Sequence, residues 1–84
     1  MGKHQKTLQQ LCASPTPANI RWDDVVSLLK HLGYDLVKGD GSRRRFYNPT
    51  TKAVFTCHKP HPQPTLPKYV VEHLVSHLMT FGHI

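Results

Sequence analysis

Apolar residues recur at helical spacing in three stretches of the chain and at strand spacing in the stretch between the second and the third. Val25, Leu28, Leu29 and Leu32 fall at i, i+3, i+4 and i+7, with Trp22 and Val26 widening the stripe. That spacing predicts an amphipathic helix over Trp22–Leu32. Asp23 and Asp24 fall in its first turn, where carboxylates favour the positive end of the helix dipole, and Gly33 supplies the stop. Lys30 and His31 fall on its polar side. A second helix is expected from about Pro67 to Phe81, burying Val70, Val71, Leu74, Leu78 and Phe81, with His73 and His77 at one edge of that stripe. A shorter helix over 4–13 carries Leu8, Leu11 and Cys12 and is broken by Ser14-Pro15-Thr16-Pro17.

Three short strands are expected between the two longer helices: Tyr34–Lys38, Arg43–Asn48 and Ala53–His58. Glycine-rich Gly39–Ser42 and the turn residues of Asn48–Lys52 connect them as hairpins. Alternation along the second strand puts Arg44 and Phe46 on one face and Arg43, Arg45 and Tyr47 on the other. With Phe46 and Phe55 as core residues, Arg43 and Arg45 face outward. Lys59-Pro60-His61-Pro62-Gln63-Pro64 reads as a stiff extended connector, because prolines remove ladder donors. The order (α)-α-β-β-β-α describes an α+β two-layer domain: a three-stranded antiparallel sheet with helices on one face and the other face open. Residues 1–19 form an N-terminal extension, a short helix and a proline-rich linker; residues 20–84 form the domain.

Charge then narrows the class of partner. The 84 residues hold 11 Lys plus Arg against 5 Asp plus Glu, a net charge of +6 with histidines neutral. A small basic domain favours a polyanion, either nucleic acid or an acidic protein. A chain this short leaves no room for a deep interlobe cleft, so chemistry must sit on a shallow surface or use groups that the ligand brings. Lys3 and the residues after it lead into no apolar run, and no stretch approaches the ~20 apolar residues of a membrane span. The expectation is a cytoplasmic protein with no membrane contact, two free thiols at Cys12 and Cys57, one or both in the core, and no cofactor.

Candidate chemistry gathers at Gly39-Asp40-Gly41-Ser42-Arg43-Arg44-Arg45-Phe46. The glycine turn offers backbone N–H groups, and three arginines offer the planar forks best matched to phosphate oxygens. Antiparallel pairing of strands two and three brings the start of one beside the end of the other. Ser42, Arg43, Arg45, His58 and His61 then share a patch in which arginine holds phosphate and histidine exchanges protons near neutrality. RNA carries its own nucleophile in the 2′-hydroxyl, so such a patch needs only a base, an acid and a cation. The competing reading is a basic surface with two solvated loop histidines. A third reading takes Cys57 and His61, with His73 and His77, as a loosely spaced zinc-ligand set; the opening cysteine pair of a zinc finger is missing. No nucleotide-binding, metalloprotease or serine-hydrolase motif is present.

Over roughly Ile20 to Ile84 these features resemble the HicA family of toxins from bacterial and archaeal toxin–antitoxin systems. The resemblance rests on a helix ending in Leu32-Gly33-Tyr34, on Gly41-Ser42 opening a basic strand that contains Phe46, and on His61-Pro62 after the third strand. It implies a double-stranded-RNA-binding-domain-like α-β-β-β-α fold, metal-independent endoribonuclease cleavage of mRNA that inhibits translation, and neutralisation by a HicB-type antitoxin. The family's usual Gly-Ser-His motif, with its catalytic histidine, reads Gly41-Ser42-Arg43 here. Arginine stays protonated and cannot serve as a general base near neutrality. Either proton transfer falls to His61, with His58 next, while Gly41, Ser42, Arg43, Arg44 and Arg45 bind RNA, or the chain binds RNA without cutting it and acts through an antitoxin-like partner.

Overall fold

The computed structural model describes residues 2–84. Its elements run α1 (Lys3–Leu11), α2 (Trp22–His31), β1 (Asp35–Lys38), β2 (Arg43–Tyr47), β3 (Val54–His58) and α3 (Lys68–Thr80). The strands form an antiparallel sheet in the order β1-β2-β3, with Leu36 opposite Phe46 and Phe46 opposite Phe55. This is the α+β, α-β-β-β-α arrangement expected from the sequence, preceded by α1. Phe46 and Phe55 are buried together with Trp22, Val25, Leu28 and Leu29 of α2 and Val70, Val71, Leu74 and Leu78 of α3. The Trp22 and Phe46 rings meet at 5.6 Å between centroids. Each such side chain taken from water contributes about 1.5–3 kcal/mol, so the aromatic strip of the sheet supplies much of what holds the two layers together.

Both helices that cover the sheet end in the same way. After α2, Gly33 takes φ +99, its N–H donates to the Lys30 carbonyl, and the Tyr34 N–H reaches back to the Leu29 carbonyl at 2.9 Å. After α3, Gly82 takes φ +75, its N–H donates to the Met79 carbonyl, and the His83 N–H reaches the Leu78 carbonyl at 2.8 Å. Glycine suits both turns because a side chain at positive φ is strained. These turns explain two departures from the sequence reading. Tyr34 closes the α2 cap rather than opening β1, and it is buried. Phe81, expected in the buried stripe of α3, sits at the cap beyond Thr80 and is 41% exposed, with its ring against His77.

α1 packs along α2 and adds Leu11 to the same core, with Leu8 half-buried beside it. Its His4 ring stacks on His31 at 4.3 Å between centroids. Cys12 is exposed just past the end of the helix, so Cys57, half-buried, is the thiol that packs against the core. The proline-rich connector is pinned at its far end by main-chain bonds to the chain entering α2: Trp22 N–H to the Pro64 carbonyl at 2.9 Å and Leu66 N–H to the Ile20 carbonyl at 2.8 Å. Those two bonds fix the path on which His61 lies.

Candidate active site

β2 leaves the glycine turn at Ser42 and immediately pairs with the end of β3, Arg43 lying opposite His58. The turn itself is closed by Gly39 N–H to the Arg43 carbonyl and Arg43 N–H to the Asp40 carbonyl, with Gly41 at φ +57. The Gly39 amide is therefore used within the hairpin. Lys59 N–H donates to the Ser42 carbonyl at 2.7 Å, carrying the ladder one residue past β3. The Ser42 hydroxyl lies 3.1 Å from His58 Nδ1. With Nδ1 occupied by Ser42, the other ring nitrogen, Nε2, is the one left for a ligand.

These residues open onto a groove of about 430 Å³ between the end of the sheet and the start of α3. Ser42 lines it from the glycine turn, His58 from the end of β3, His61 and Gln63 from the connector, and Tyr69 and Val70 from α3. Both His58 and His61 are exposed. The sequence-predicted Ser42, His58 and His61 are thus brought together. Tyr69 and Gln63 were not singled out by the sequence reading; the available signal was an aromatic in the first turn of α3 that falls off the Val70–Val71–Leu74–Leu78 stripe.

The three arginines separate. Arg43 and Arg45 are exposed on the outer face of the sheet, in the strand phase that also carries half-buried Tyr47. Arg44 is half-buried on the helix side, opposite Cys57. Its Nη1 donates to the Gly41 and Arg43 carbonyls, both at 2.9 Å, so this guanidinium fastens the turn. Burial pushes the Cys57 thiol up to about 11, only partly opposed by the Arg44 charge, and Cys57 is therefore a neutral thiol near pH 7.

The remaining histidines of the loose zinc-ligand reading go elsewhere. His77 Nε2 lies 2.8 Å from the Tyr34 hydroxyl, and its ring packs against Phe55 and Phe81. Burial, with a smaller contribution from neighbouring His83, holds the His77 pKa below its ordinary value. His73 packs edge-on against Tyr69. Among the described residues, no group of three or more His, Cys, Asp or Glu is placed to hold a metal ion.

Among the described residues no helix is long and apolar enough to cross a membrane. No curated protein and no solved structure matches the chain. A family model does: the HicA toxin of bacterial toxin-antitoxin, over residues 22–78. That span runs from the first residue of α2 to near the end of α3, and takes in the turn, the sheet, the connector and both groove histidines. On this match, which covers well over half of its length, the chain belongs to the HicA toxin family.

Proposed function

We propose that this toxin-family protein binds mRNA at the groove beside Ser42 and cleaves it without a metal, so that translation stops until a HicB-type antitoxin covers the toxin. The observation that carries this reading is the convergence of Ser42, His58 and His61 on one open groove, with Arg43 paired opposite His58. The 2′-hydroxyl of the RNA attacks the adjacent phosphorus, and the bond from phosphorus to the 5′-oxygen breaks. The products are a 2′,3′-cyclic phosphate and a 5′-hydroxyl end. One proton must leave the 2′-hydroxyl and one must reach the departing 5′-oxygen. His61 carries the principal transfer and His58 the second, each a group able to exchange protons near neutrality.

Arg43 holds the phosphate and offsets the charge that develops on it, a task suited to a fixed cation and unsuited to a base. Arg45 continues the cationic stripe along the outer face of the sheet, and the Gly41–Ser42 turn orients the phosphate beside it. Arg44 supports both from behind the turn. All of these steps take place in the cytoplasm, where mRNA is translated.

The experiment is incubation of purified protein with single-stranded RNA in excess EDTA. Fragmentation is the expected result. Intact RNA, with salt-sensitive binding retained, sinks the nuclease reading and leaves a non-catalytic RNA-binding module. In that case Arg43→His becomes informative, since gained cleavage would mark a site silenced at position 43.

A further inference from the structure

Tyr69 is a large aromatic with no use in the core. It lies in the first turn of α3, off the buried stripe, and is 60% exposed. Its one aromatic neighbour among the described residues is His73, which meets it at 80° and 6.0 Å between centroids. An edge contact of that kind steadies a ring while leaving much of its area uncovered. Tyr69 also lines the groove that holds Ser42, His58 and His61. The same groove is walled by Pro60, Pro62 and Pro67, whose fixed backbone angles make the wall stiff, and Gln63 and Lys59 also line it.

At about 430 Å³ the groove falls within the ~300–1,000 Å³ typical of small-ligand sites. Its contents divide as a nucleotide divides. An exposed ring and proline surfaces suit the face of a base, an amide suits a base edge, and a lysine suits a phosphate. Duplex RNA keeps its bases stacked within the helix, whereas a single strand can splay one out onto an aromatic side chain.

We propose that Tyr69 is the stacking platform of a base subsite, seating one unpaired nucleotide of single-stranded RNA in the groove next to His58 and His61. The proposal rests on the RNA reading above and goes beyond it by naming the strandedness of the substrate and the residue that seats a base. Stacking of this kind orients the nucleotide whose phosphate lies beside the histidines, so Tyr69 positions the substrate and takes no part in proton transfer.

The test uses the full chain and a short single-stranded oligonucleotide with 2′-fluoro sugars, which lacks the attacking hydroxyl and stays intact during a binding measurement. Tyr69→Ala should weaken binding roughly 5- to 150-fold, the effect of losing one base–aromatic stack. Tyr69→Phe should retain affinity, and Met79→Ala, a change at a similarly exposed residue of α3 (62% exposed), should leave it unchanged. Removing the base at one position of the oligonucleotide should reproduce the loss in the parent protein and add nothing in Tyr69→Ala. A duplex of the same sequence should bind without sensitivity to Tyr69→Ala. Parent affinity retained by Tyr69→Ala, or the same loss on base removal in both proteins, would overturn the subsite while leaving RNA binding in place. A parent protein that binds no single strand would overturn the RNA reading and the subsite with it.

Discussion

The two ends of the sheet treat histidine differently. At the end where Arg43 pairs with His58, His58 and His61 are exposed beside a groove, and the Ser42 hydroxyl occupies one nitrogen of His58. At the other end, where Tyr47 pairs with Asp35 and Val54, Tyr34 leads into β1 and its hydroxyl lies 2.8 Å from His77 Nε2 and 3.2 Å from His83 Nε2. One hydroxyl can donate to one ring and accept from the other, so the pair is satisfied when the two imidazoles are neutral. The glycine turns after α2 and α3 place Tyr34 and His83 for this contact. The number of histidines therefore carries little information by itself; what surrounds each one decides whether its ring is open to a ligand or held as a packing group.

Substitution separates the two ends most sharply through catalysis. His61→Ala should lower the rate of RNA cleavage about 10²- to 10⁴-fold, the usual contribution of a positioned acid or base, and leave thermal stability intact because the side chain is exposed. His77→Ala should do the reverse. It leaves the cleavage rate close to the parent value and removes a hydrogen bond and ring contacts with Phe55 and Phe81. A loss of about 1–2 kcal/mol, or roughly 4–16 °C in Tm by calorimetry, is expected. A cleavage defect in His77→Ala at a temperature where the variant is folded would break the comparison.

The arginines give the next largest effect. Arg43→Ala and Arg45→Ala should each weaken RNA binding and reduce the slope of log affinity against log salt by about 0.7, one phosphate contact on a single strand. Arg44→Ala should leave that slope unchanged and lower stability instead, by about 0.5–1.5 kcal/mol, because its guanidinium ties the turn through the Gly41 and Arg43 carbonyls. Filter binding across a salt series, with a melt of each variant, checks both halves.

The smallest effect is in pH. Because burial and the nearby His83 hold the folded His77 pKa below 6.5, the unfolded chain binds the proton more readily than the folded one. The stability that His77 provides is full above that value and is lost as pH falls through the depressed folded value. Tm should therefore drop as pH falls below about 6.5, and the drop should be shallower in His77→Ala. A steeper drop in the variant would contradict the assignment of His77 as a neutral packing group.

Much of this was legible in the chain itself. The i, i+3, i+4, i+7 stripe of α2, its Gly33 stop, and the alternation that buries Phe46 and turns Arg43 and Arg45 outward all reflect periodicity that burial imposes. That the end of β3 near His58 lies beside the start of β2 near Ser42 and Arg43 followed from hairpin geometry alone. The path of the connector did not, because it is fixed by main-chain bonds from Trp22 to Pro64 and from Leu66 to Ile20, which no side chain announces. Asn48 read only as a turn former, yet it is 3% exposed, with Oδ1 accepting from the Thr50 and Thr51 amides and Nδ2 donating to the Leu32 carbonyl. It joins the second hairpin to the end of α2, a tertiary role that local turn propensity cannot convey. Gly82 was visible as a second helix stop, and noticing it would have moved Phe81 out of the core. The partner of His77 depends on two cap turns meeting in space, which lies beyond any local pattern.

The most direct test of the groove as the site of chemistry is the identity of the RNA ends formed by the purified protein in excess EDTA. Attack by the 2′-hydroxyl predicts 2′,3′-cyclic phosphate and 5′-hydroxyl ends from the parent protein, and a loss of those ends in the folded His58→Ala/His61→Ala double variant. Ends carrying a 3′-hydroxyl and a 5′-phosphate, or undiminished cleavage by the double variant, would contradict the account.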